Sequence, residues 1–164
     1  FYTYQDIAVK DREKSQNYDC ILKRGVTVLQ LNCREEPCPD YMKSFKYTIT
    51  GNCGNVFNPS TGHCLKQATL TKTYDISDDR FTAKRFSFTI YFFLGADDVS
   101  DITLTTQSTD TEDKVVKSLS FENVHMVKGK MTIYKGPFLS THSAASFIID
   151  SPTIPNSGFG TEFE

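Results

Sequence analysis

A chain of 164 residues is long enough to bury one core and short enough for one domain to account for it. Its 18 Lys and Arg stand against 20 Asp and Glu, with the signs mixed along the chain. That mixing counts against a nucleic-acid partner, which needs clustered cations. The longest apolar run, FSFTIYFFL from Phe86 to Leu94, is about half of what a bilayer-crossing helix requires and is polar at alternate positions.

In chain order, residues 1–17 read as an N-terminal edge segment or arm, within which Ile7 to Ser15 is the only helical candidate, short and charged. The chain opens on Phe1 rather than Met, so a leader or upstream segment is expected outside it. Val26 to Leu31 (VTVLQL) is apolar on both faces for part of its length, as a central strand would be. Period-two alternation follows at Phe45, Tyr47 and Ile49, and again at Ala68 and Leu70 with Tyr74 further on. It is strongest at Phe86, Phe88, Ile90, Phe92 and Leu94, where one face is wholly apolar and Arg85, Ser87, Thr89 and Tyr91 occupy the other. Ile102 and Leu104, then Val115, Leu119 and Phe121 with Lys117 interrupting, then Met131 and Ile133, continue the pattern. Phe147, Ile148 and Ile149 close it.

Turn signals separate these runs at Gly51-Asn52, Asn58-Pro59 with Gly62, Ser77-Asp78-Asp79, Gly95 to Asp98 and Asp110 to Asp113. The Val127-Lys128-Gly129-Lys130 stretch is read as a further turn, in which Gly129 supplies a positive φ and the lysines stay in water; the rival reading is an anion or glycan clamp. The pattern predicts an all-β fold over residues 18–150, an antiparallel sandwich or barrel, followed by a flexible tail at 151–164 (SPTIPNSGFGTEFE).

All five cysteines, Cys20, Cys33, Cys38, Cys53 and Cys64, fall in the first 64 residues, which suits an oxidising, exported setting. Two local disulfides, Cys33 with Cys38 and Cys53 with Cys64, are one reading; a four-ligand zinc site is the other, although its spacings miss the usual C-x2-C knuckle. Cys20 is then the spare. Absence of any N-x-[ST] acceptor disfavours a glycosylated eukaryotic ectodomain. His63, His125 and His142 share no motif with a nucleophile, and the carboxylates at Asp97, Asp98, Asp101, Asp110, Glu112 and Asp113 lack the spacing of a calcium loop. We therefore expect no enzyme, no cofactor and no metal.

Three segments taken together resemble a known family: NYDCILKRGVTVLQLNC, FKYTITGNCGNVFNPSTGHC and KSLSFENVHMVKGKMTIYKGPFLS. They resemble the fimbrillin-like proteins of the Bacteroidetes, the fimbrial subunits and related surface lipoproteins. The third matches best, at Asn123, Val124, Met126, Lys128, Gly129, Thr132, Tyr134 and Gly136, with His125 where the family usually has Pro. The resemblance implies a transthyretin-like, Greek-key sandwich of about seven to eight strands, placed on the cell surface or outer membrane. It implies a role in fibre assembly or adhesion, with other fimbrial subunits or surface ligands as partners and membrane attachment only through a lipid anchor outside this chain. Such subunits join by strand exchange. Phe86, Phe88, Ile90, Phe92 and Leu94 would line the receiving groove, unless the sandwich is complete in itself and they are core. A glycan- or apolar-ligand-binding sandwich or barrel is the alternative function, and the lack of any Trp counts against it.

Overall fold

The computed structural model describes residues 1–5, 7, 17–33, 40–76, 87–139 and 148–150. Cys38, Phe86, Phe147, His142, the Ser77-Asp78-Asp79 turn, the helical candidate beyond Ile7 and the tail at 151–164 lie outside the described residues.

The fold is all-β. Among the described residues seven strands of six residues or more carry it: β1 (Thr27–Cys33), β2 (Met42–Gly51), β6 (Leu70–Asp75), β7 (Ser87–Leu94), β8 (Val99–Asp110), β9 (Val115–Val127) and β10 (Met131–Gly136). Short pieces complete it: β3 (Cys53–Gly54), β4 (Phe57–Asn58), β5 (His63–Cys64) and β11 (Ile148–Asp150). One sheet has the order β11-β10-β1-β7-β3, the other β6-β2-β8-β9, and β4 pairs with β5 in a small hairpin.

Alternation fixes which side of each strand is buried. In β7, Phe88, Ile90, Phe92 and Leu94 are buried while Ser87 and Tyr91 face out. In β2, Phe45, Tyr47 and Ile49 do the same from the opposite sheet. The two inner faces meet at Phe45 and Phe88, whose rings stack at 4.4 Å, while Tyr74 of β6 lies 4.7 Å from Phe88. A fully buried side chain of this kind contributes roughly 1.5–3 kcal/mol. Leu29, Leu31, Ile102, Leu104, Met126, Phe138 and Leu139 fill the rest of one continuous core.

β1 is a central strand, as its two-sided apolar pattern predicts, but its two neighbours run in different senses. It pairs antiparallel with β7 and parallel with β10, from Val28↔Met131 to Cys33↔Gly136, so this sheet is mixed rather than wholly antiparallel. The reason is the turn at Lys128 to Lys130. Gly129 has the expected positive φ of 75°, yet β9 belongs to the sheet of β8 and β10 to the sheet of β1. The link is an arch across the sandwich. Lys128 N–H donates to Asp98 O at 2.8 Å and Gly129 N–H to Val26 O at 3.1 Å, which pins the arch between the loop before β8 and the entry to β1.

The acidic clusters build turns. Asp110 Oδ1 accepts from Glu112 N–H at 3.0 Å and Lys114 N–H at 2.9 Å, shaping the β8–β9 hairpin, and Lys43 Nζ reaches both carboxylate oxygens of Asp113 at 2.7 and 2.8 Å. Asp101 and His125 face each other across β8 and β9 at the surface, 3.1 Å apart.

Candidate functional site

Among the described residues β6 and β9 end one sheet and are paired on one side only, and in the other sheet part of β7 is also paired on one side only. The apolar face of β7 is not a vacant groove, because Phe88, Ile90, Phe92 and Leu94 are covered by the chain's own opposite sheet. Its two edges differ. Along one, β1 pairs with it from Thr27↔Phe92 to Asn32↔Ser87. Along the other, β3 meets it at two positions only, Cys53↔Leu94 and Gly54↔Phe93.

Amide direction shows which groups are exposed. Gly95 N–H donates to Asn52 O at 2.8 Å, so at that residue the backbone points away from β1. Direction alternates along a strand, which carries the outward-pointing groups back through Phe93 to Tyr91 and Thr89. No strand among the described residues lies beside Tyr91 and Thr89 on that edge. Tyr91, 66% exposed, marks the outer face there. β3 stops short because the chain leaves it for the β4–β5 hairpin, closed by Leu65 N–H to Val56 O at 2.8 Å. It returns over Gly54 at Cys64 and Lys66 and then reaches Ala68, whose N–H meets Cys53 O at 2.9 Å.

The cysteines do not form the expected second bridge. Cys53 and Cys64 are separate thiols. Cys53 belongs to the core, and burial first, then neighbouring Cys64, pushes its thiol up to about 11. Cys64 lies over Gly54 instead: a Cβ placed on that glycine would stand 3.1 Å from Cys64 Cβ and 3.3 Å from Sγ. Successive residues of a strand face opposite ways, so the two thiols occupy opposite faces of β3. Cys33 is buried at the end of β1, and its expected partner Cys38 is not described; Cys20 is exposed. Among the described residues no three His, Cys, Asp or Glu side chains gather into a metal-binding group.

A polar cluster absent from the sequence reading forms at the arch. Lys128 Nζ is bonded to Asp98 Oδ1 and lies 3.4 Å from both His63 Nε2 and the Tyr2 hydroxyl. His63 Nε2 is 3.4 Å from Asp98 Oδ1, and its Nδ1 is buried without a partner. The Lys128 side chain is 12% exposed and that of Asp98 67%. Burial alone would pull the Lys128 amine down, but its bonds to Asp98 and Tyr2 outweigh this and raise it. The Lys128 hydrogen bond in turn holds the Asp98 carboxyl below its ordinary value, against a smaller desolvation effect. Lys128 is therefore a fixed cation suited to gripping an oxygen, not a neutral amine suited to attack. The only sequence signal was the pair of turn glycines, Gly62 and Gly129, beside His63 and Lys128.

Comparison of the chain with family models, curated proteins and solved structures finds no match.

Proposed function

We propose that this chain is a non-enzymatic domain of a fimbrillin-like surface protein, exported and cell-surface or outer-membrane bound, that acts in fibre assembly or adhesion. In this reading it joins a neighbouring subunit by accepting an extended segment along the free edge of β7. One observation carries it: among the described residues β7 pairs with β1 from Ser87 to Phe92 on one side and with β3 only at Phe93 and Leu94 on the other, so no described strand meets the outward N–H and C=O groups of Thr89 and Tyr91. An extended strand added there gains main-chain hydrogen bonds, and its outward side chains rest beside Tyr91. An edge with this much exposed backbone is otherwise a hazard that proteins blunt with charge or proline, and β7 carries neither between Ser87 and Leu94. The three segments resembling the fimbrillin-like family support the surface setting.

Sedimentation velocity of the wild-type chain and of Tyr91→Pro, alone and with the neighbouring subunit, tests the reading. Proline at 91 removes an outward N–H without taking a bond from β1. Association that is concentration-dependent in the wild type and lost in Tyr91→Pro is the expected result. Equal association by both sinks strand addition at this edge.

A further inference from the structure

Tyr2 sits in a place that strand addition at β7 does not use. Its backbone makes one antiparallel bridge, with Tyr2 N–H to Lys23 O at 2.7 Å and Lys23 N–H to Tyr2 O at 2.8 Å. Its ring stands edge-on to Phe57 at 5.3 Å between centroids, with Lys128 Nζ 5.8 Å from the ring centre and 3.4 Å from the hydroxyl. The floor is glycine: a Cβ on Gly62 would overlap the phenol carbon and oxygen, and one on Gly25 would come within 3.2 Å of Tyr2 Cδ1. Phe1, Thr3, Tyr4 and Gln5 are all exposed. Among residues 1–5 Tyr2 alone is drawn in from solvent, and Phe1, though exposed, has the Arg24 guanidinium carbon 5.1 Å from its ring centre.

We propose that this socket is a binding site for a tyrosine carried on an extended peptide segment, and that Tyr2 is its resident, exchangeable occupant. Each wall matches one part of that side chain. Phe57 takes the ring edge, glycine at 62 lets the flat ring lie close, and Lys128, held charged by Asp98, meets the hydroxyl. The bridge to Lys23 requires an extended backbone but reads no side chain. Two backbone hydrogen bonds, one ring and the surface contact of Arg24 with Phe1 are a thin hold on a segment whose other described residues are exposed, so a second segment bearing a tyrosine competes for the same seat.

The test uses NMR on the full chain and a synthetic peptide of residues 1–5 carrying Tyr4→Ser, so that one tyrosine remains. The Tyr2→Ala chain should give saturable shifts at Gly62, His63 and Lys128, and the wild type should bind the peptide about tenfold more weakly, because its own Tyr2 competes. A peptide that also carries Tyr2→Ala should give no shift. A Tyr2→Ala chain that shows no saturable shift at these residues overturns the proposal, as does equal binding of the two peptides, or binding by the wild type as tight as by the variant. The Tyr2→Phe chain, which keeps the ring and loses the hydroxyl, gives the same reading if Tyr2→Ala does not fold. It should yield its seat to the tyrosine peptide more readily than the wild type, and equal competition in the two chains overturns the proposal.

Discussion

Lys128 and Asp98 shift in opposite directions, and the sign of each shift fixes a pH window. The lowered Asp98 carboxyl contributes stability that is present above the unfolded value of about 3.9 and lost as pH falls through the lower folded value. The raised Lys128 amine contributes below about 10.4 and loses its contribution as pH rises through the higher folded value. Asp98 is mostly exposed, so both contributions are small and salt-sensitive. Lys128→Met should therefore flatten the stability curve at its acid and alkaline ends, read from urea midpoints across pH; a variant curve parallel to the wild type contradicts the pairing. Cys53 supplies a second check at this scale. With its thiol buried and raised to about 11, it should resist iodoacetamide at pH 8 until the chain unfolds, whereas exposed Cys20 should react at once. Mass spectrometry of the labelled peptides decides it, and native labelling of Cys53 contradicts its placement in the core. The buried phenylalanines were legible because period two is local information. The cluster of His63, Asp98 and Lys128 was not, because loop ends from distant parts of the chain bring it together, and no spacing rule connects them.

Strands show the same division between local and long-range information. The pattern Phe88, Ile90, Phe92, Leu94 identifies a strand and its buried face, and the structure has both. It cannot reveal which neighbours lie along the edges, since a strand paired on one side alternates just as one paired on both does. The arch at Gly129 shows this again: alternation on either side of a glycine turn is the same for a hairpin within one sheet as for a crossing between two. Amide direction in β7 leads to a contrast that side-chain burial alone does not supply. Ile90 points its backbone toward β1, opposite Leu29, and its side chain into the core. Ile90→Pro should therefore remove a ladder bond and a buried side chain, and destabilise by about 3 kcal/mol or more. Tyr91→Pro, whose N–H faces the open edge, should cost far less. Denaturant titration of the two variants measures the difference, and equal destabilisation would mean that the edge beside Tyr91 is already paired.

At the scale of the molecule, two sheets close over one core, and among the described residues part of one core strand, β7, has no strand along one edge. Its side chains are buried within the chain, so under the proposed function a joining segment would extend a sheet and not fill a missing core. This separates two ideas that the sequence merged, a groove lined by phenylalanines and a site for strand exchange: the described phenylalanines of β7 are core, and the proposed strand exchange rests on the backbone beside them. The most direct measurement is residue-resolved hydrogen exchange of the amides at Thr89, Ile90, Tyr91 and Phe92, in the isolated chain and after assembly with the proposed neighbouring subunit. The account predicts fast exchange at Thr89 and Tyr91 and slow exchange at Ile90 and Phe92 in the isolated chain, with all four slow after assembly. Protection of Thr89 and Tyr91 in the isolated chain, or fast exchange there in the assembled one, would contradict it.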